Sequence, residues 1–204
     1  MRKKINLIVI VLLFPLFGFN QNLDNVNFIS PFNDGVAAVE KDGKWGFINE
    51  EGALVIPFRT DLVLLKNKGQ DYPFFQNDRC LIIQKKEGIK YFGYIDKSGK
   101  TVISPQYLNA THYQNGNAIV LVLVKRNVGS NQMLKKALVS YDYFEAIINT
   151  DGEIQQYLTE DPIHITLSKD YLKKAPVITS KFISDHLIAK WSKDKKWELI
   201  KIEL

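Results

Sequence analysis

The segment from Gly93 to Thr101, with the sequence GYIDKSGKT, contains the residue types that could bind the phosphates of a nucleotide. A phosphate-binding loop has four residues between its first Gly and a Gly-Lys-Ser/Thr run, and a helix follows whose N-terminus faces the phosphate. Here five residues separate Gly93 from Gly99, and residues 102–105, Val-Ile-Ser-Pro, follow as a strand ended by proline. We therefore predict a turn at this segment and no nucleotide site.

The residues that most often serve as metal ligands, bases and nucleophiles are few and scattered. His112, His164 and His186 form neither an H-x-H nor an H-E-x-x-H pair, and Cys80 is the single cysteine. Zinc sites need ligands at suitable spacing, and an activated nucleophile needs a positioned base. The sequence indicates neither, and Cys80 aligns with small repeat residues, which predicts inert burial. We expect no metal, no cofactor and no catalytic residues, so that the chain is not an enzyme.

An internal repeat is the dominant pattern of the chain. GKWGFINEEGALVIPF at residues 43–58 returns as KYFGYIDKSGKTVISPQY at residues 90–107, and AIINTDGEI at residues 146–154 is a looser third copy. Four similar units start near residues 28, 75, 113 and 182, and the last is expected to end short of its turn. Such periods predict modular stacking, in which each unit buries its apolar face on its neighbour. The matched motif residues are Trp45, Gly46, Phe47 and Gly52 in the first copy and Phe92, Gly93, Tyr94 and Gly99 in the second.

The repeated residues resemble a known family. The succession Lys-Trp-Gly-Phe-Ile-Asn, then Gly, then Val-Ile-Pro is similar to the WG (KWG) repeat of bacterial proteins. The resemblance covers residues 28–107 well, residues 113–154 loosely and residues 182–204 faintly. It implies a β-rich repeat, and a role in export or interaction more often than catalysis. It carries no catalytic residue over to this chain.

Local patterns place the repeated motif on strands and turns. In WGFIN the side chains alternate between two apolar faces, which indicates a strand covered on both sides, with Gly46 and Gly93 leaving room for a neighbouring backbone or aromatic ring. Asn49, Asp96 and Asn149 each precede a Gly by three residues, a pattern typical of hairpin turns. We predict an all-β fold of tandem antiparallel hairpin or meander repeats. They would form a curved open array or a small propeller-like ring.

Two further elements lie between and after these copies. AIVLVLVKR from Ala118 reads as a buried strand that returns through ALVSYDYFEAII at residues 137–148. One short helix is expected at residues 168–174, with Ser168 as its cap, Tyr171 and Leu172 on its apolar side and Pro176 as its stop. The chain should therefore hold at most one or two short helices.

The aromatic residues have two interpretations. Trp45, Phe47, Phe92 and Tyr94 recur at matched positions, which favours packing between units over a platform for stacking sugar rings. Trp191 and Trp197 lie among lysines near the end of the chain and are the candidates for an exposed recognition patch. A final strand that docks on the array would explain them equally well.

The N-terminus has the pattern of an export signal. Arg2, Lys3 and Lys4 precede an apolar run from Leu7 to Phe19, so we assign residues 1–20 to a signal peptide and residues 21–204 to the β-repeat domain. An uncleaved membrane anchor is the alternative. Three of the 27 basic side chains lie in this signal, which leaves 24 against 22 acidic ones. Such a balance does not provide the dense cationic surface that a nucleic-acid partner requires.

These inferences together predict a non-catalytic exported protein, periplasmic or secreted, that presents a surface to a protein or glycan in the bacterial envelope. An envelope hydrolase whose histidines and carboxylates converge only in three dimensions is the alternative. A structural spacer is a third possibility, which the absence of any concave or apolar patch would favour.

Overall fold

Fourteen strands and one short helix make up the described residues of this computed structural model, which are 23–66, 69–131, 136–192 and 194–202. The strands form four antiparallel sheets that follow one another along the chain, as the repeat predicts. The all-β assignment with tandem hairpins is therefore confirmed. The expected signal peptide at residues 1–20 lies outside the described residues.

The first two sheets are meanders. Sheet 1 contains β1 (Phe28–Ile29), β2 (Ala37–Lys41), β3 (Lys44–Ile48) and β4 (Leu54–Arg59) in sequence order. Sheet 2 contains β5 (Cys80–Lys86), β6 (Ile89–Ile95) and β7 (Thr101–Tyr107), also in sequence order.

Sheet 3 is built around one long hairpin. It contains β8 (Asn117–Asn131), β9 (Lys136–Asn149), β10 (Ile154–Tyr157) and β11 (Ile163–Thr166). Strand β9 pairs with β8, and it pairs with β10 and β11 at different positions along its length. Sheet 4 follows as a meander of β12 (Ser180–Ser184), β13 (Leu187–Trp191) and β14 (Trp197–Lys201).

The same tight turn joins the last two strands of the repeat units. In the first unit the Asn49 N–H donates to the Ala53 carbonyl oxygen, and the Gly52 N–H donates to the Asn49 carbonyl oxygen. Turns 96–100 and 149–153 repeat both hydrogen bonds. Residues 192–196 repeat them as well, at the start of the KKWELI segment with which the fourth unit was expected to end. That turn escaped notice because Lys195, with φ of 58°, occupies the position of the glycine.

Apolar cores lie between consecutive sheets. Trp45 and Phe47 of sheet 1 share a core with Ile82 and Ile95 of sheet 2. Further cores join sheet 2 to sheet 3 and sheet 3 to sheet 4. In the described part of the chain no core cluster joins sheet 1 to sheet 4, so the packing is that of an open array.

The expected helix at residues 168–174 is a 3-10 helix, Lys169–Lys173. Ser168 has an extended backbone and its side chain makes no capping hydrogen bond, which corrects its predicted role. Leu172 is buried in a core below the long hairpin, whereas the Tyr171 side chain is exposed. Leu172 therefore anchors this short element, and an ion pair between Lys169 and Glu87 adds a second contact.

Candidate functional site

Trp191 and Trp197 lie side by side on the last sheet. They are directly paired across β13 and β14, and their rings meet edge to face with centroids 5.0 Å apart. The Lys181 ammonium lies 4.5 Å from the centroid of the Trp197 ring, which is a cation–π contact. Trp191 is 41% exposed and Trp197 is 51% exposed, so the predicted patch lies at the surface.

Aliphatic side chains extend this aromatic pair across the sheet. Directly opposed residues of antiparallel strands share a face, and alternate residues of a strand share a face. Leu199 therefore lies on the same face as Trp197, and Ile183 lies at the register shift of β12; both side chains are more than half exposed. We call this surface, defined by Ile183, Trp191, Trp197 and Leu199, the tryptophan face.

The opposite face of sheet 4 packs on sheet 3. Phe182, Ile188 and Ile200 form a core with Ile119 and Ile147 of the long hairpin. Docking of the last sheet on the array, the alternative interpretation of the tryptophans, therefore occurs through other residues.

Sheet 4 docks by the opposite face from the one that the repeat predicts. Aligned on the turns, Trp191 occupies the position of Ile95 and Ile148, each of which is buried against the preceding sheet. In sheet 4 the contact with the preceding sheet is made by Ile188, whose side chain lies on the opposite face of β13 from Trp191. The tryptophan face is thus a surface that the earlier units bury and the last unit leaves open.

The motif aromatics of the first two units are internal. Trp45 is 8% exposed and meets Phe28 edge to face at 5.9 Å, while Phe47 meets Phe75 edge to face at 4.8 Å. Tyr94 is fully buried and its hydroxyl donates to the Thr111 carbonyl oxygen at 2.6 Å. Phe92 is partly buried and packs against the core between sheets 2 and 3.

The motif glycines allow the return strand to approach. A Cβ on Gly46 would lie 2.8 Å from the Ile56 carbonyl oxygen, and one on Gly93 would lie 2.7 Å from the Pro105 nitrogen. In both sheets the register shifts at this point, so a bulge in β4 or β7 brings the backbone against the glycine. Each glycine therefore leaves room for the backbone of the return strand. Gly52 and Gly99 have φ of +76° and +80° in the turns.

Sequence comparison identifies this repeated arrangement. The model of the family described as WG containing repeat matches residues 26–45, 45–59 and 92–122. The chain contains WG repeats over these segments. No curated protein and no solved structure matches this WG repeat protein.

Sheet 3 of the WG repeat protein brings together a serine, a histidine and an aspartate that the sequence analysis did not connect. The Asp142 carboxylate is fully buried and accepts hydrogen bonds from Arg126 Nε at 2.5 Å and from Ser140 Oγ at 2.8 Å. His164 Nδ1 lies 2.9 Å from Asp142 Oδ1 and 3.1 Å from Ser140 Oγ. Pairing of β11 with β9 places His164 there, and no local spacing indicated it.

Electrostatics fix the charge of Asp142. Burial of the carboxyl opposes ionisation, but the hydrogen bonds from Arg126, His164 and Ser140 outweigh it and lower the pKa to about 2. In a serine hydrolase the serine and the aspartate contact different ring nitrogens of the histidine. Here both approach Nδ1, and Ser140 is buried. The cluster therefore fits a structural role, in which it holds the strands around the long hairpin together, better than a catalytic role in proton transfer.

The other candidate side chains lie apart from one another. His112 stacks on Phe74 with centroids 4.3 Å apart, and burial lowers its pKa to about 4. His186 is exposed in the turn before β13. Cys80 is fully buried in the core between sheets 1 and 2, and burial raises the pKa of its thiol.

Two features are absent from the described residues. Among them, no group of three or more histidine, cysteine, aspartate and glutamate side chains is placed to hold a metal ion. No helix within the described ranges has the length and apolarity to cross a membrane. A groove of about 690 Å³ runs beside the Arg59–Asp61 ion pair, and none of the histidines lines it.

Proposed function

We propose that this chain is a non-catalytic, exported WG repeat protein that binds another protein of the bacterial envelope through the tryptophan face. The observation that carries the proposal is the open apolar surface of sheet 4, in which two tryptophans and two aliphatic side chains are exposed together. Exposed apolar surfaces of this kind mark interaction sites, and tryptophan is enriched at the energetic centres of interfaces.

The chemistry of the face favours a protein over a glycan. Sugar hydroxyls need acceptors and donors placed beside the aromatic ring. On this face of sheet 4 the polar side chains of β12, β13 and β14 are Lys181, Ser184 and Lys201, with no carboxylate or amide. Lys181 also covers part of the Trp197 ring, on which a sugar would stack.

Export is supported by the N-terminal sequence. The positive start and the apolar run of residues 1–20 are the features of a signal peptide. Mass spectrometry of the protein recovered outside the cytoplasm should find residues 1–20 removed. Retention of Met1 would instead favour a membrane anchor.

Site-specific crosslinking tests the binding surface. A photoreactive amino acid replaces Leu199 of the full chain in one strain and Tyr171, an exposed side chain outside the tryptophan face, in another. We expect the Leu199 position to capture one envelope protein, and Trp197→Ala in the same chain to abolish that adduct. Equal capture from both positions, or an adduct that persists with Trp197→Ala, would contradict the proposal.

The hydrolase alternative rests on Ser140, Asp142 and His164. A fluorophosphonate probe labels an activated serine. We expect no labelling, because Ser140 donates to Asp142 and is buried. Labelling that is lost in Ser140→Ala would favour the hydrolase over the binding protein.

A further inference from the structure

Strand β14 has an open edge. Among the described residues, β13 pairs with its inner side and no strand pairs with its outer side. The Ser192 N–H donates to the Lys196 carbonyl oxygen, and the Ile202 N–H donates to the carbonyl oxygen of His186. Hydrogen-bonded pairs alternate along an antiparallel ladder, so residues 198 and 200 bond inward. The backbone groups of Trp197, Leu199 and Lys201 therefore point outward, and their side chains lie on the tryptophan face.

The corresponding strands of the first two sheets are protected. Strands β4 and β7 contain Pro57 and Pro105, and both have register shifts against the strand beside them. Prolines and bulges prevent a further strand from pairing with an edge. Strand β14 contains no proline, and it pairs with β13 in continuous register. The last unit thus lacks the protection that its predecessors carry.

Positive charge predominates around this edge, where the exposed Asp194 shares the turn before β14 with lysines. Lys181 and Lys201 lie on the tryptophan face, and Lys195 and Lys196 are exposed in the turn before β14. Glu198 projects to the other face. A second copy of the chain stacked on this face would bring lysines against lysines, whereas acidic side chains would pair with them.

We propose that the partner adds an extended segment to the outer edge of β14, with apolar and acidic side chains together on the side of the added strand that continues the tryptophan face. The added strand pairs with the outward backbone groups of Trp197, Leu199 and Lys201. On that side of the added strand, its apolar side chains extend the tryptophan face and its carboxylates pair with Lys181 and Lys201, which lie on the same face. This inference rests on the proposed function, because it names the partner's binding mode at the same surface.

The test uses a phage-displayed library of random peptides of about twelve residues, selected on the full chain. Leu199→Pro removes an outward N–H and puts a proline ring on the edge, while Leu199→Ala removes the side chain and keeps the N–H. We expect enriched peptides to carry both apolar and acidic residues at positions i, i+2 and i+4, which share one face of a strand. Their affinity should fall about ten-fold or more with Leu199→Pro and about three-fold or less with Leu199→Ala. Urea melts of both variants check that they remain folded.

Amide hydrogen exchange of the unaltered chain gives a second measurement. A bound peptide should slow exchange of the outward Leu199 and Lys201 amides more than that of the inward Ile200 amide. Peptides that lose affinity with Trp197→Ala but bind Leu199→Pro normally would overturn strand addition and leave the proposed function standing. Peptides unaffected by Trp197→Ala would contradict the proposed function itself. Concentration-dependent dimers that Leu199→Pro dissolves would assign the edge to a second copy and overturn the inference.

Discussion

The same residue type has two environments in this chain. Trp45 is 8% exposed and lies in the core between sheets 1 and 2, whereas Trp197 is half exposed on sheet 4. The free energy of unfolding responds to the removal of a large side chain according to how much of it is buried and how well the site can collapse. The two tryptophans therefore provide a matched comparison.

We expect Trp45→Ala to lower the free energy of unfolding by about 3–5 kcal/mol, because it leaves a cavity in the core. Trp197→Ala should lower it by only about 1 kcal/mol, because half of the side chain is exposed and the loss is limited to ring contacts with Trp191 and Lys181. Urea melts of both variants and the parent measure the difference. Similar midpoints for Trp45→Ala and the parent would refute the packing role of the motif tryptophan.

The glycine of the motif makes a second prediction at this scale. Gly93→Ala would place a Cβ 2.7 Å from the Pro105 nitrogen, and the backbone of β7 has to move. We expect a loss of about 1–3 kcal/mol, as for other overpacked sites. The control is Ala189→Gly in sheet 4, where alanine already occupies the equivalent position and the change should cost about 0.5–1 kcal/mol. If the unfolding midpoint of Gly93→Ala is no lower than that of Ala189→Gly, the bulge in β7 moves at little cost in free energy and the prediction is wrong.

At the scale of elements, the sequence predicted what depends on neighbouring residues. An Asn or Asp three residues before a Gly defines a hairpin turn through local hydrogen bonds, so the turns at residues 49–53 and 96–100 could be anticipated. The fourth turn was missed because Lys195 adopts positive φ, which its residue type does not signal. Contacts between distant residues were equally hidden, since His164 reaches Asp142 only through the pairing of β11 with β9.

The long hairpin gives a prediction about pH. The pKa of Asp142 falls to about 2 in the folded protein, below its ordinary value of about 4. A lowered folded-state pKa stabilises the protein above the ordinary value, and this contribution disappears as the pH falls through the folded pKa. The stability difference between the parent and Asp142→Asn should therefore be largest above about pH 4 and shrink towards pH 2.

Chemical melts at several pH values measure this difference directly. Ser140→Ala removes one of the three hydrogen bonds to the carboxylate and should show a weaker pH dependence than the parent. A difference between parent and Asp142→Asn that stays constant from about pH 5 to pH 2 would contradict the argument.

At the scale of the whole molecule, each sheet depends on its neighbours. The repeats predicted sequential stacking, whereas the structural alignment on the turns gives Trp191 a position that sheets 2 and 3 bury and sheet 4 exposes. The segment of about twenty residues between β10 and β12 accounts for this difference, because it contains β11 and the 3-10 helix before sheet 4 begins. Which face of a unit packs on the preceding sheet therefore depends on this connecting segment and on the contacts at its end. The repeat pattern contains neither.

One of those contacts comes from Glu145. Aligned on the turns, Glu145 occupies the position of Trp45, and it is fully buried. Its carboxylate accepts hydrogen bonds from the Thr179 and Ser180 N–H groups at 3.0 and 2.9 Å and from the Thr179 hydroxyl at 2.7 Å. These groups lie where sheet 4 begins. Glu145, which replaces the motif tryptophan in the third unit, therefore holds the first residues of the fourth sheet in place.

We expect Glu145→Ala to detach sheet 4 while sheets 1 and 2 stay folded, since it leaves the buried N–H of Ser180 and the partly buried N–H of Thr179 without an acceptor at about 1–3 kcal/mol each. Glu145→Gln keeps one acceptor oxygen and should be intermediate, and Glu153→Ala, an exposed carboxylate in a turn, is the control. Hydrogen exchange should accelerate in peptides covering residues 180–202 and remain slow over residues 37–59. Uniform acceleration across both regions would show that the units unfold together, and that Glu145 contributes to the stability of the whole array.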